Sequence, residues 1–420
     1  MSAEKSTVKK QAVIKVVGVG GAGNNAVNRM IQAGIQDVEF IAINTDAQHL
    51  EKSQAPTKLH IGENTTGLLG AGGDPEKGRL AAEESKNQIR DLLMGADLVF
   101  ITAGMGGGTG TGASPIVAEL ARDIEALTVA VVTKPFSWEL GRMARAERGI
   151  AALTEIVDTI ITIPNDRLQD VAPKGLSFVD AYGMADDVLR QGVQAISEII
   201  TVPGYVNVDF ADVRMTLAQA GPALMGVGVG KGDQRAMQAA NAAVSNPLLE
   251  TELAGATRLL VNVTAPRNFE LDELTQAMSF ISSLASSAEA NIIVGNVLDE
   301  SLEDEVRITV LAAGLDPTAR PPEPTRASTT EAERTPRPTS RIPADGARRT
   351  TTPQRSDPPE PRQEPVERNV EGNGSSIPPG ADSATGQPRP ANPKPADEEE
   401  DLNIPTFLRR HRKQRSEESD

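Results

Sequence analysis

Residues 104–112 read Gly104-Met105-Gly106-Gly107-Gly108-Thr109-Gly110-Thr111-Gly112 and lie between a buried-strand pattern and a helix pattern. Five glycines within residues 106–112 are hard to explain as packing, because each glycine costs conformational entropy on folding. Alternating glycine and threonine supplies backbone amides and hydroxyls without bulk, which suits a phosphate cradle. The run lacks the Gly-Lys-Ser/Thr ending of a Walker P-loop, so it predicts a phosphate loop of another kind.

A second glycine-rich loop, Gly18-Val19-Gly20-Gly21-Ala22-Gly23-Asn24-Asn25, also follows a strand and opens a helix. Its Gly18-x-Gly20-x-x-Gly23 spacing fits the dinucleotide-binding pattern, with Asp46 downstream, so a nicotinamide-dependent enzyme is one hypothesis. A tight turn without a ligand is another. A dinucleotide needs one phosphate loop, whereas two loops at the carboxyl ends of parallel strands suit a triphosphate held between two helix N-termini.

Strand and helix patterns alternate between residues 12 and 316, which predicts an α/β fold with a mostly parallel sheet. The predicted strands are 12–19, 38–43, 98–103, 128–133, 159–163, 223–229, 258–264, 291–298 and 306–312. Helices are predicted at 24–33, 115–124 and 178–200. The last of these is long and amphipathic, and it separates two α/β regions.

The composition excludes several kinds of protein. The 420-residue chain has no cysteine, three histidines and a net charge of −16. Disulfides and zinc–thiolate sites are therefore excluded, and a histidine-based metal site is unexpected. An acidic globular part repels phosphates, so we expect no nucleic-acid partner. Without a bilayer-spanning apolar run or an apolar signal segment, we expect a cytoplasmic protein with no direct transmembrane insertion.

The C-terminal quarter has a different composition. Residues 317–396 hold 18 of the 29 prolines and no aromatic residue. Such a segment cannot bury enough apolar surface to offset its ordering entropy, so we predict a disordered linker. Residues 397–420 then run from acidic to apolar to basic. This order suits a short docking segment for a partner, and a frayed charged terminus is the other interpretation.

Residues 106–112 resemble the tubulin signature Gly-Gly-Gly-Thr-Gly-Ser/Thr-Gly. With residues 20–25, 44–46, 163–166 and 207–212, the resemblance is to the FtsZ family of bacterial tubulin homologues, and residues 402–410 resemble that family's C-terminal peptide. It implies a tubulin-like α/β fold with an N-terminal Rossmann-like GTP-binding domain, a long central helix, a smaller C-terminal α/β domain and a disordered tail. The implied segments are a disordered N-terminus (1–11), the GTP-binding domain (12–176), the central helix (177–202), the C-terminal domain (203–316), the linker (317–396) and a partner-binding peptide (397–420).

The resemblance implies a GTPase that is activated by polymerisation, assembles head to tail into protofilaments and forms the division ring (Z ring) beneath the inner membrane. Membrane-anchoring and regulatory division proteins would bind residues 402–415. The implied nucleotide contacts are Gly20, Gly21, Ala22, Gly23, Asn24, Gly106, Gly107, Gly108, Thr109, Gly110, Glu139, Arg142, Asn165, Tyr182 and Asp186. Tyr182 stands where the family usually has Phe and keeps a stacking face. Without the resemblance, Tyr182 and Asp186 would be interpreted as a packed ring and a solvated carboxylate.

Asn207, Asp209 and Asp212 match the family's synergy loop, which reaches the nucleotide of the neighbouring subunit. Paired carboxylates there can orient a water for attack on the γ-phosphate. Spacing alone favours a helix N-cap at Asp209 with Asp212 in the first turn, which is compatible with catalysis. We also expect Mg²⁺ near Asn44 or Asp46, because a triphosphate in an acidic domain without a P-loop lysine needs a cation.

Two segments depart from the family's pattern. The usual Ser-Phe-Glu-Gly-x-x-Arg is replaced by Ser137-Trp138-Glu139-Leu140-Gly141-Arg142, so the arginine follows the glutamate by three residues instead of four. Residues 66–70, Thr-Gly-Leu-Leu-Gly, replace Thr-Arg-Gly-Leu-Gly and lack the arginine. The shortened segment motivates an alternative hypothesis: a structural filament that binds GTP and scarcely hydrolyses it.

Overall fold

The computed structural model describes residues 11–172, 175, 177–202, 204, 208–248, 256–285 and 290–315. The strands are β1 (Ile14–Val19), β2 (Val38–Asn44), β3 (Thr57–His60), β4 (Leu98–Gly104), β5 (Leu127–Lys134), β6 (Thr159–Pro164), β7 (Gly221–Lys231), β8 (Ala256–Ala265), β9 (Asn291–Leu298) and β10 (Glu305–Leu315). The helices are α1 (Gly20–Gln32), α2 (Ala47–Glu51), α3 (Glu63–Thr66), α4 (Pro75–Glu84), α5 (Lys86–Leu93), α6 (Thr109–Asp123), α7 (Arg142–Thr154), α8 (Leu168–Val171), α9 (Phe178–Thr201), α10 (Phe210–Leu217), α11 (Arg235–Val244) and α12 (Leu271–Leu284).

All strands of the described residues belong to one sheet in the order β3-β2-β1-β4-β5-β6-β7-β10-β8-β9. The pairs from β3 to β7 are parallel, and β10 runs antiparallel to both β7 and β8. After β1 the chain continues to β2 on one side of β1, and after β4 it continues to β5 on the opposite side of β4. The direction in which successive strands are added therefore reverses between β1 and β4. Strands β1 and β4 are neighbours at this reversal, which is the place where parallel sheets bind ligands at their carboxyl ends.

Helices cover both faces of the parallel part of the sheet. One core packs α1 and α9 against β1, β4, β5 and β6, with Met30, Phe100 and Leu189 almost completely buried. The opposite core packs helices α4 to α7 against the same strands. A third core joins α11 and α12 to β8 and β10. The loops therefore lie at the two ends of the sheet, one where the parallel strands begin and one where they finish. Below, these two ends are called the amino edge and the carboxyl edge of the sheet.

The amphipathic pattern at 178–200 is confirmed as α9, whose N-cap Ser177 accepts a hydrogen bond from the Asp180 N–H. The predicted helix starts at 24 and 115 are wrong. Helix α1 begins at Gly20 and α6 at Thr109, because the glycine runs themselves form the first turns. Pro115 lies inside α6 instead of opening it.

Some predictions fall on other parts of the chain. Residues 1–10, Asn207, the linker (317–396) and the docking segment (397–420) lie outside the described residues. Within the described ranges, no helix combines the length and apolar character needed to cross a bilayer.

Candidate functional site

Two helix N-termini meet at the reversal between β1 and β4. The N-cap residues of α1 and α6 are Val19 and Gly108, and neither helix has a side-chain cap or an acidic residue in its first turn. The two turns touch, because a Cβ placed on Gly20 would lie 2.9 Å from the Gly110 nitrogen. First-turn N–H groups without a protein partner, at the positive ends of two helix dipoles, form an anion-binding site.

Packing explains more of residues 106–112 than the sequence suggests. At four of the five glycines a Cβ would meet a neighbouring atom: at 2.8 Å in Gly106, 2.8 Å in Gly108, 2.7 Å in Gly110 and 1.9 Å in Gly112. The expectation that packing does not account for these glycines is therefore wrong. Gly107 is the exception, with nothing within 4 Å of its Cβ position. A side chain at Gly107 would therefore meet no neighbouring atom.

The predicted loop contacts divide by exposure. Gly21 and Ala22 are exposed and Gly107 and Thr109 are half-buried, whereas Gly20, Gly23, Asn24, Gly106, Gly108 and Gly110 are buried. The Asn24 side chain turns inward: its amide nitrogen donates to the carbonyls of Gly18 (2.7 Å) and Gly20 (3.3 Å). Asn24 therefore holds the loop together, so a phosphate would meet the backbone there instead of this side chain.

The segment after β5 forms one wall. The Glu139 carboxylate accepts from the Phe136 N–H (3.1 Å) and from Arg142 Nη1 (2.6 Å). The Tyr182 hydroxyl also binds this carboxylate, and burial together with the Glu139 charge raises the pKa of Tyr182. The Phe136 ring lies edge-on to Tyr182, with centroids 5.4 Å apart. The wall therefore joins an aromatic face to an ion pair whose carboxylate is buried and whose guanidinium is partly exposed.

Asn165 follows β6 and carries an unsatisfied acceptor. It is only 5% exposed, and its Oδ1 has no hydrogen-bond partner. An unpaired buried acceptor costs about 1–3 kcal/mol, so a ligand donor at this position would be bound favourably. The neighbouring Asp166 accepts from the Ser137 N–H at 3.0 Å, which places Asn165 beside the aromatic wall.

Asp186 lies on α9, one helical turn after Tyr182. Its side chain is 13% exposed and pairs with Arg29 Nε of α1 at 3.5 Å. The interpretation of a solvated carboxylate is therefore wrong. Burial raises the pKa of Asp186 to about 7 despite the opposing charge of Arg29. Asn165 and Asp186 thus offer two acceptors, and guanine presents N–H donors on its Watson–Crick edge.

The carboxylates of α10 lie at the amino edge of the sheet, where the parallel strands begin. Asp209 is the N-cap and its Oδ1 accepts from the Asp212 N–H at 3.0 Å, as spacing alone predicts. The end of α10 is tied to the first residues of β6, since the Leu217 carbonyl accepts from Thr159 Oγ1 at 2.5 Å. Arg214 donates to the Glu125 carbonyl, just before β5, at 2.8 Å.

The glycine loops follow the opposite, carboxyl ends of these strands. At about 3.3 Å per residue, the eight residues of β5 separate the two edges by about 23 Å. The structure therefore brings Glu139, Arg142, Asn165, Tyr182 and Asp186 together with the loops, but not Asp209 and Asp212. A nucleotide at the loops cannot reach these two carboxylates within one copy of the chain.

Comparisons with known proteins agree with this geometry. The Tubulin/FtsZ family GTPase-domain model matches residues 13–173, and the FtsZ family C-terminal-domain model matches residues 221–316. A solved structure described as an empty FtsZ dimer from M. jannaschii is 42% identical, with a TM-score of 0.70, over 73% of this chain and 89% of that chain. The chain belongs to the FtsZ family. The predicted family and fold class are thereby confirmed, and the nicotinamide-dependent alternative is wrong.

Two more distant solved structures share the fold alone. CetZ2 from Haloferax volcanii, described as a GTPγS-bound protofilament, is 21% identical with a TM-score of 0.64 over 73% of this chain and 94% of its own. CetZ1 from the same organism, a GDP-bound monomer, is 20% identical with a TM-score of 0.63 over 73% and 95%. As an FtsZ-family member the chain carries a GTPase domain, which supports GTP binding and GTPase activity in general.

Each of the two expected magnesium ligands already has one side-chain oxygen hydrogen-bonded within the chain. The Asn44 Oδ1 accepts from the Thr45 N–H at 2.9 Å, and the Asp46 Oδ1 accepts from the His49 N–H at 3.0 Å. Among the described residues, no cluster of three or more His, Asp or Glu side chains could hold a metal. A cation here would therefore take its ligands mainly from phosphate oxygens and water.

Sequence patterns missed three residues of this site. Thr45 binds the Thr109 hydroxyl at 2.6 Å, and Arg145 Nε binds the Gly106 carbonyl at 3.1 Å. Arg145 lies one turn beyond Arg142, so helical spacing could have found it. Arg29 pairs with Asp186 across two helices, and no local pattern reveals such a pair.

The raised pKa of Asp186 predicts a pH-dependent effect of Asp186→Asn on the protein without nucleotide. Between pH 4 and 7 the folded state holds a proton that the unfolded state releases, so the native protein loses stability as pH rises. The asparagine variant escapes this loss. Denaturant unfolding measures this effect. From pH 5 to pH 8, the free energy of unfolding of the variant relative to that of the native protein should rise by on the order of 2–4 kcal/mol. A difference that does not change with pH would contradict the assignment.

Proposed function

We propose that this FtsZ-family protein binds GTP at its two glycine-rich loops, polymerises head to tail and hydrolyses GTP at a site completed by α10 of the next copy. The observation that supports this most directly is the distance, within one copy of the chain, between the glycine-rich loops and the carboxylates of α10. The helix N-termini lie at one edge of the sheet, and Asp209 and Asp212 lie at the opposite edge. A head-to-tail contact is heterologous and brings opposite edges together.

Each group then has a chemical task. The first-turn amides of α1 and α6 bind phosphate oxygens, with the Thr109 hydroxyl beside them. Asn165 Oδ1 and the ionised Asp186 accept from guanine N–H groups, and the Tyr182 ring faces the base. Asp212 of the adjoining copy orients the attacking water, and its N-cap Asp209 fixes the start of α10. Asn207, the third residue proposed for catalysis, lies outside the described residues. Mg²⁺ enters with the triphosphate and offsets charge that a −16 chain does not neutralise.

Self-association also has support from the relatives, one of which is described as a dimer and another as a protofilament. We propose that the homopolymer forms the division ring in the cytoplasm, at the division site beneath the inner membrane. In this proposal residues 402–415 recruit membrane-anchoring and regulatory division proteins. Deleting these residues should leave polymerisation intact and abolish recruitment to the division site. Normal localisation of the truncated protein would refute this role for the segment.

The alternative, a GTP-binding filament with little hydrolysis, was motivated by the shortened segment between Glu139 and Arg142. The two side chains nevertheless form an ion pair at 2.6 Å, because Gly141 adopts a left-handed conformation (φ 78°) and starts α7 at Arg142. The shorter spacing therefore still allows Glu139 and Arg142 to pair, and the rate of phosphate release decides between the two hypotheses.

GTP hydrolysis measured against protein concentration tests the proposed function. We expect the rate per subunit to rise above a threshold concentration, together with sedimentable polymer, because each active site needs two copies. Assembly with GTP but without phosphate release would support the inert filament. Neither polymer nor phosphate release at micromolar protein would refute the proposal.

A further inference from the structure

The C-terminal end of α10 is held by a side chain from β8. Arg258 Nη1 donates to the carbonyls of Met215 (3.3 Å), Thr216 (3.4 Å) and Ala218 (2.9 Å). A cation is favoured at a helix C-terminus by the helix dipole, and it can satisfy carbonyls that have no partner within the helix. Arg258 therefore caps α10 from a strand about 40 residues further along the chain.

The backbone after α10 does not supply these bonds itself. The N–H groups that would continue the helix to Met215 and Thr216 belong to the residues four positions later. Gln219 instead donates its N–H to a carboxylate oxygen of Asp158 at 3.2 Å. The Ala220 N–H donates at 3.3 Å to the carbonyl that follows Thr216. The guanidinium from β8 thus takes the place of two helical N–H groups.

The capped end of α10 is connected to Asp212. Thr216 is fully buried, and its hydroxyl donates to the Asp212 carbonyl at 3.0 Å while its own carbonyl accepts from Arg258. Helix α10 has eight residues, about two turns, so its two ends move together. A shift at the C-terminal end would therefore displace the Asp212 carboxylate.

Helix α10 is fixed from two sides. Thr159 of β6 and the Glu125 carbonyl before β5 hold it to the parallel part of the sheet. Arg258 holds it to β8, which pairs with the antiparallel strand β10. Substituting Arg258 releases one side only, so the helix and the fold should persist in the variant while the direction of α10 changes.

Resting on the proposed function, we propose that Arg258 is a positioning residue for GTP hydrolysis in the adjoining copy. By holding the C-terminal end of α10, it sets where Asp212 lies when the amino edge meets the nucleotide of that copy. Arg258 belongs to the segment that the FtsZ C-terminal-domain model matches, whereas α10 precedes this segment. The C-terminal domain thus aims a helix that acts on the nucleotide of another copy.

Arg258→Ala in the full chain should lower GTP hydrolysis per subunit by about tenfold or more, at matched amounts of sedimented polymer, because small displacements of a catalytic group are costly. GTP affinity should stay at the native level. Arg258→Lys keeps a cationic donor and should regain most of the rate. Arg148→Ala removes the same charge from an exposed position on α7, so it is the matched control and should hydrolyse GTP normally.

Mixing variants separates this role from general damage to the fold. Gly107→Val, which we expect to lose GTP binding but to keep α10, should restore hydrolysis when it is mixed with Arg258→Ala. Asp212→Ala should not restore it, because neither copy in that mixture presents a working α10. A defect spread through the Arg258→Ala molecule would prevent restoration by both partners.

Each other result has a meaning. A native rate in Arg258→Ala, weakened GTP binding, restoration by Asp212→Ala, or no restoration by either partner would overturn the inference and leave the proposed function standing. A native protein whose rate per subunit does not depend on its concentration would overturn the proposed function itself. Thermal unfolding of each variant verifies the fold, and Arg258→Gln repeats the test should Arg258→Ala fail to fold.

Discussion

Asp212→Ala should lower GTP hydrolysis per subunit by about 10²-fold or more while GTP binding stays at the native level. The reason is that α10 is tied to the residues just before β5, and the length of β5 separates that end of the sheet from the loops of the same copy by about 23 Å. The N–H and carbonyl of Asp212, not its side chain, make the bonds to Asp209 and Thr216, so α10 keeps its cap in the variant. Phosphate release and nucleotide affinity are measured on the same preparation.

Asp91→Ala, which removes an exposed carboxylate on α5, is the control for the lost charge and should hydrolyse GTP normally. A variant at Asp212 that bound GTP a hundredfold more weakly would place this side chain in the binding site of its own copy. Unchanged hydrolysis would show that another group orients the water.

Gly107→Val should abolish GTP binding, with an affinity loss of about 10²-fold or more, and leave the fold intact. Gly107 directly precedes the N-cap of α6 and has nothing within 4 Å of its Cβ position, so a valine side chain fits there without a clash. In the proposed function phosphates bind at this helix N-terminus, so the added side chain takes up room that they need. Affinity by nucleotide displacement and the midpoint of thermal unfolding together check the prediction.

Gly112→Ala provides the contrast. Its Cβ would lie 1.9 Å from the Pro75 carbonyl oxygen, so this smaller substitution should destabilise the protein, whereas the larger one at Gly107 should not. Native GTP affinity in Gly107→Val would show that the phosphates lie elsewhere. A cooperative unfolding transition of Gly107→Val like that of the native protein would show that the loss of GTP binding in this variant is a local effect.

Much of the fold could be predicted because local patterns agree with it. The largely apolar run that forms β1 and the 3.6-residue periodicity of α9 were sufficient to predict these two elements. The starts of α1 and α6 were not, since glycine is a poor helix former and only tertiary contact makes it necessary there. The predicted start at Pro115 was wrong because proline usually opens a helix, whereas Pro115 lies inside α6.

The site divides in the same way. The loops were predictable from their spacing, whereas Asn165 and Asp186 came only from the family resemblance. The burial of Asp186 was not predictable, because its partner Arg29 lies on a helix distant in sequence. The inward turn of Glu139 comes with hydrogen bonds from the Phe136 N–H and from Arg142, which residue spacing alone did not indicate. That Asp209 lies across the sheet from the loops follows from the pairing of β6 with β7, which no local pattern encodes.

Mixing the two inactive variants tests the shared site most directly. An Asp212→Ala subunit still holds GTP, and a Gly107→Val subunit still presents Asp212, so a contact between them restores one complete site. We predict that an equal mixture hydrolyses GTP at up to about a quarter of the native rate, although neither variant does so alone. A mixture no faster than the sum of its parts would contradict a site shared between copies, even if each variant behaves as expected by itself.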